Sequence, residues 1–111
     1  MNKAAIPILN GVFCEYVENC SQIAIFNIKD NHIVFIDRPE GLETNQIPKW
    51  LVNIGITDFI FYKCNKKIFD NVIQLKLNVF VGIKPGNLEE IFQDYVNGRL
   101  VSDENIINEI L

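Results

Sequence analysis

Twice in the middle of this chain, a stretch with helical apolar spacing runs into a stop signal and then into a short apolar run. That recurrence restricts the fold more than any other feature of the sequence. In and just after residues 45–53, Ile47, Trp50, Leu51 and Ile54 fall at i, i+3, i+4 and i+7, the spacing of a helix with one apolar stripe. Thr44 or Asn45 can cap its start, Pro48 fits in the first turn, and Gly55 supplies a left-handed stop. Residues 56–62 (ITDFIFY) then end as a continuous apolar run, the pattern of a strand covered on both faces. The second instance reads the same way. Residues 66–77 are helical, with Ile68, Phe69, Val72, Ile73 and Leu75 inward and Asn78 in the place of glycine at the stop. Residues 79–83 (VFVGI) follow as another buried strand. Asn87 caps a third helix running to residue 97, with Glu90 placed for a capping box and Gly98 ending it. Strand and helix in alternation call for parallel strands joined by right-handed crossovers.

The first third of the chain has a different character. Residues 3–9 (KAAIPIL) read as a strand and Asn10-Gly11 as a sharp turn. Residues 12–21 carry no clean period and read as a structured loop with room for a short strand at its start. Residues 22–28 and 32–37, joined by Lys29-Asp30-Asn31, make a β-hairpin. The expected fold is α/β: a five-stranded mixed sheet, half antiparallel hairpin and half parallel, flanked by about three helices. Pro7 near the end of a central first strand belongs where ladder pairing stops. Residues 1–100 form one domain. Residues 101–111 are its short helical tail, with Ile106, Ile107, Ile110 and Leu111 apolar and needing a surface to dock on.

Composition excludes several classes. Hydrophobic residues at 49% and charged residues at 22% describe a globular chain rather than a disordered one. The net charge of −4 argues against nucleic-acid binding, and Lys63, Lys66 and Lys67 are too small a basic cluster to reverse that. No stretch approaches the ~20 apolar residues a membrane helix needs, and Pro7 and Asn10 interrupt the apolar start in the manner of no targeting signal. Cys14, Cys20 and Cys64 cannot all pair within one chain, which speaks against a secreted disulfide scaffold and for a cytoplasmic protein.

Several of these segments together resemble the dinitrogenase iron-molybdenum cofactor biosynthesis domain family. The residues that carry the resemblance are Ala5-Ile6-Pro7, Gly11-Val12 and Cys20, then Trp50-Leu51 with residues 54–60 (IGITDFI). Residues 77–81 (LNVFV) continue it, as do Leu88-Glu89-Glu90 through Tyr95, Asn97-Gly98 and Leu100. The similarity spans about residues 3–100, and its order and spacing are more specific than any one piece. It implies a ribonuclease-H-like fold without nuclease activity. It also implies a non-enzymatic role: transient binding of an iron–sulfur or molybdenum-containing cluster by soft ligands in the first loop. Tyr16-Val17-Glu18 stand where the family commonly carries His-Phe-Gly, and residues 63–67 (KCNKK) replace a glycine-rich turn. The cofactor-binding positions carried over are thus Tyr16 and Cys20 in the loop and Cys64 and Asn65 in the turn. Two expectations stay open, a cluster carrier and a cofactor-free protein-interaction module of the same fold acting through a partner or a second copy.

The fold suggests where a site would lie. Ligands of open sheets gather at the carboxyl ends of strands where the chain order switches direction, so residues 10–21 and 62–67 should face one crevice. Cys14, Cys20 and Cys64 all fall there, and as a set they could hold a soft metal or cluster. Each could equally be a small buried apolar residue, the usual state of a free thiol. Cys64, at the start of a helix and flanked by Lys63 and Lys66, also has the setting of an acidified, reactive thiol. A general base is not evident near it, and His32 belongs to the hairpin turn at the opposite end of the sheet. Trp50 reads as a core or rim anchor, and Gly82, Pro85 and Gly86 form no nucleotide-binding fingerprint.

Overall fold

The computed structural model describes residues 2–111. Strand β1 (Lys3–Leu9) turns through Asn10 and Gly11, both at positive φ, into the two-residue strand β2 (Val12–Phe13). Two successive positive φ values make the type I′ turn whose twist suits a tight hairpin, and Asn-Gly is its preferred pair. A 3-10 turn at Val17–Asn19 leads to the hairpin β3 (Gln22–Asn27) and β4 (His32–Asp37). The second half runs α1 (Ile47–Asn53), β5 (Asp58–Phe61), α2 (Lys66–Gln74), β6 (Asn78–Val81), α3 (Leu88–Val96) and α4 (Glu104–Ile110). The sheet order is β4-β3-β1-β5-β6, antiparallel from β4 to β1 and parallel from β1 to β6, with β2 pairing β1 off that path. Among the described residues the sheet therefore has six strands rather than five, and four helices pack on it. The sixth strand is the stub that Asn10-Gly11 folds back on β1, and the fourth helix is the tail.

Both sheet faces are covered. Ala4, Ile6 and Ile8 of β1 meet Phe26, Ile60 and α3 residues Ile91 and Phe92 on one side, where Phe26 and Phe92 stack with ring centroids 5.1 Å apart. Ala5, Ile23, Phe59 and Phe61 face α1, α2 and Ile106 of α4 on the other. This alternation is why residues 59–62 are apolar without a break. Pro7 sits past the end of the β5 ladder, as expected, but within the β3 ladder, which continues to Ile8↔Gln22. Its carbonyl accepts from the Cys14 amide at 2.8 Å, so its missing N–H faces away from β3, on the side where the β5 ladder has already ended at Ala5↔Phe59.

All three longer-range steps out of a helix use one device. After α1, the Gly55 amide donates to Val52 and the Ile56 amide to Leu51. After α3, Gly98 donates to Tyr95 and Arg99 to Asp94. These are Schellman pairs, which need a left-handed residue just past the helix. After α2 the left-handed residue is Lys76 (φ +59), with Lys76 bonded to Ile73 and Leu77 to Val72. The stop is therefore Lys76 and not Asn78, which already belongs to β6. Ile73 and Leu75 are exposed instead of inward, because the buried stripe of α2 is confined to Ile68, Phe69 and Val72. Helix α1 likewise starts later than its periodicity suggests. A 3-10 turn at Thr44–Gln46 precedes it, and the Glu43 amide donates to Gln46 Oε1 at 3.1 Å, so neither Thr44 nor Asn45 is its cap.

Candidate functional site

The carboxyl ends of β1 and β5 lie side by side, and the loop and turn that leave them are joined by backbone pairing. The Val17 amide donates to the Lys63 carbonyl at 3.0 Å and the Lys63 amide to Glu15 at 3.2 Å, so Tyr16 and Lys63 form a short parallel bridge. Glu18 Oε1 accepts from the Asn65 amide at 3.2 Å, and the Ser21 amide returns to Ile8 of β1 at 2.8 Å. The two segments do meet at the switch point, but as a seam whose space is taken up by main chain rather than as an open crevice.

The three cysteines lie along this seam within one core cluster, unpaired and only 3–5% exposed. Cys14 Sγ donates to the Tyr16 carbonyl at 3.0 Å. Burial raises its thiol above the ordinary range, and Glu18 and Glu15 add to the effect. Cys20 is pushed up to about 11, by burial first; Arg38 pulls against this and the neighbouring Cys14 adds to it. Burial, assisted by Glu18, pushes Cys64 up to about 12. That is the reverse of the acidified thiol expected there. Its flanking lysines are engaged elsewhere, Lys63 with Glu109 at 3.2 Å and Lys66 with Asp70 at 3.3 Å, and burial dominates. Cys20 senses Cys14, whereas Cys64 senses burial and Glu18. Among the described residues, no group of three or more His, Cys, Asp or Glu side chains comes together in a metal-holding arrangement. Of the other positions, Tyr16 is partly exposed on the seam, and Asn65 caps α2 by accepting from the Ile68 amide at 2.9 Å.

Sequence reasoning missed Arg38. Its guanidinium donates to the carbonyls of Glu18 (3.0 Å), Cys20 (3.2 Å) and Leu42 (3.2 Å) and to Thr44 Oγ1 (3.4 Å), binding the cysteine loop to the segment before α1. All four acceptors are neutral oxygens, so a full positive charge is held beside Cys20 without a carboxylate among these partners. The hairpin register could have revealed it, since Gln22 opposite Asp37 puts Arg38 beside Ser21. Asp58 was missed as well. This buried carboxylate at the opposite end of β5 accepts from Thr57 Oγ1 at 2.6 Å and from the Tyr95 hydroxyl at 2.7 Å. His32 does lie at that far end, where it lines a cavity of about 470 Å³ with Asn31, Glu89 and Phe92. Trp50 packs partly buried against the core, and the tail docks on this same domain through Ile106. No helix of the described residues is long and apolar enough to cross a membrane.

The architecture is that of a small α/β domain with a mixed sheet between one helix and three. Solved structures of the same architecture bear on what such a domain can be. The apo form of the orange protein from Desulfovibrio gigas has a TM-score of 0.74 at 12% identity, with 93% of each chain covered. A candidate dinitrogenase from Methanocaldococcus jannaschii has a TM-score of 0.70 at 17% identity, covering 93% of this chain and 96% of that one. A candidate NifB protein of the DUF35 family from Thermotoga has a TM-score of 0.69 at 17% identity, covering 92% and 93%. At these identities the likeness shows the fold. No protein-family profile matches the chain, and no curated protein matches it in sequence.

Proposed function

We propose that this chain is a small non-enzymatic carrier or scaffold whose cargo is an iron–sulfur or molybdenum-containing cluster. Cys14, Cys20 and Cys64 would be the thiol donors, with Tyr16 and Asn65 at the rim. The observation that carries the reading is that the loop holding Cys14 and Cys20 and the turn holding Cys64 are bonded together at the sheet's switch point. The ribonuclease-H-like topology and cofactor-biosynthesis role implied by the sequence resemblance support it. So does a fold shared with proteins described as dinitrogenase- and NifB-like. Arg38, already cationic beside Cys20, would offset the charge of a thiolate-ligated cargo. Soft thiolates suit such a cargo, and binding must release the protons these thiols hold.

The test is elemental analysis and a visible spectrum of anaerobically purified protein after incubation with iron, sulfide, molybdate and copper. Near-stoichiometric metal with thiolate charge-transfer bands, lost in Cys20→Ser, is the expected result. Colourless, metal-free protein under every condition overturns the reading. The second reading, a cofactor-free interaction module of the same fold, is favoured by one observation: the thiols are almost fully buried at a hydrogen-bonded seam.

A further inference from the structure

The two edges of the sheet are treated differently. On β6, the Val81 amide donates to Ser102 Oγ at 3.0 Å and its carbonyl accepts from the Asp103 amide at 2.8 Å, so the segment entering α4 covers that edge. Strand β4 is the other edge, six residues long, and β3 is the strand it pairs with. Of the devices that blunt an edge it carries only a terminal charge, Asp37: it has no proline, no lysine and no break in its register with β3. Val34, Phe35 and Ile36 are exposed at 47%, 42% and 37%, which puts apolar side chains in solvent on both faces of the sheet.

The outward-facing groups can be read from the ladder. The Arg38 amide donates inward to Ser21 at 2.9 Å, so by antiparallel alternation His32, Val34 and Ile36 turn their amide groups to β3. Ile33, Phe35 and Asp37 turn theirs out, symmetrically about Phe35. A two-fold axis normal to a sheet makes its edge strand antiparallel to its own copy and keeps each face on the same side. Directly opposed residues then share a face, as Phe35 does with itself. This register engages every out-turned group: Phe35 against Phe35 of the second copy, and Ile33 against Asp37. On the other face it sets Val34 against Ile36 at the closer, non-hydrogen-bonded sites. The strand's single carboxylate, Asp37, ends about 13 Å from its counterpart, four residues along the pair, beyond the ~8 Å screening length.

We infer that β4 pairs antiparallel with β4 of a second copy of this chain, joining two sheets edge to edge about Phe35. This inference is independent of the cysteines. Six residues a side is far below the ~20–30 of a standard interface, so we expect a concentration-dependent dimer with a midpoint near ~0.1 mM.

Sedimentation equilibrium from ~10 µM to ~1 mM should show the mass rising from 12.8 kDa to twice that and stopping there. Phe35→Lys should move the midpoint at least tenfold upward. Phe35→Pro should do the same, because it removes an outward donor and no bond to β3. Should either variant fail to fold, cysteine trapping tests the register alone. Oxidised Phe35→Cys should cross-link into dimers, whereas Val34→Cys should not, because Val34 faces Ile36. A mass fixed at 12.8 kDa up to ~1 mM, growth past two copies, a dimer indifferent to Phe35→Lys, or trapping through Val34→Cys instead would each overturn the inference.

Discussion

Gly82 follows β6 at φ +80, and a Cβ built on it would lie 2.6 Å from Asp103 Cβ and 3.1 Å from Ile106 Cβ. Gly11 has the same φ of +80 with nothing within 4 Å of its virtual Cβ. Alanine at the two positions therefore separates backbone strain from collision. Strain alone should cost about 1 kcal/mol in each. At residue 82 the new methyl must also gain about 1 Å to reach the ~3.5–4.0 Å of ordinary contact. Asp103 cannot yield cheaply, because its amide holds the Val81 carbonyl at 2.8 Å and its carboxylate caps α4 at Asn105. Losing the Asp103–Val81 bond costs about 1 kcal/mol. If α4 lifts instead, Ile106 returns to water, at about 1.5–3 kcal/mol. Gly82→Ala should thus lose ~2–4 kcal/mol against ~1 kcal/mol for Gly11→Ala. Urea unfolding followed by Trp50 fluorescence measures both, and amide exchange across residues 102–111 reports whether α4 lifts. Equal losses in the two variants within ~0.5 kcal/mol, or unaltered exchange at both the Asp103 amide and α4, would refute the reasoning.

Two further outcomes follow from the described geometry. Cys20 at about 11 and Cys64 at about 12, against an ordinary 9.0, hold their protons in the folded state after the unfolded chain has lost them. Their contribution to stability is complete below pH 9 and falls above it by ~1.4 kcal/mol per pH unit per thiol until the folded values are passed. Denaturant titrations between pH 8 and pH 11 should show this fall, and a Cys20→Ala/Cys64→Ala variant should be flatter; an unchanged slope would contradict the assignment. Lys76→Gly should raise stability by ~0.5–1 kcal/mol in thermal melts, since glycine adopts the left-handed cap without a Cβ penalty, and a fall would show that the lysine stem contributes packing that outweighs the strain.

Much of the fold was legible because the signals are local. The stripe of Ile47, Trp50 and Leu51, the Asn10-Gly11 turn and the Asn87 cap each declare an element within a few residues, and each is where the sequence puts it. The α2 stop was misread because an Asn looks like a left-handed residue and a Lys does not, although the Schellman bonds chose Lys76. The candidate site was legible only in outline. The switch-point rule brings the cysteine loop to the turn after β5, but whether they enclose a cleft or close into a seam depends on Glu15, Tyr16 and Val17 pairing with Lys63. No spacing in the sequence encodes that contact. Neither does any local pattern reveal that Lys63 turns to Glu109, leaving burial to govern Cys64.

The bridge between Tyr16 and Lys63 gives the seam a property of its own in time. Two main-chain bonds and the Glu18–Asn65 contact tie together the two segments that hold the buried thiols, so we expect reagent or cargo to reach sulfur when those bonds part. Alkylation of Cys14, Cys20 and Cys64 and deuterium uptake at the Val17 and Lys63 amides should then run on one clock, that of a local opening rather than of global unfolding. Delivery into such a domain would be paced by the protein's own breathing, and whatever grips the loop at Tyr16 or draws Arg38 off its carbonyls would set that pace.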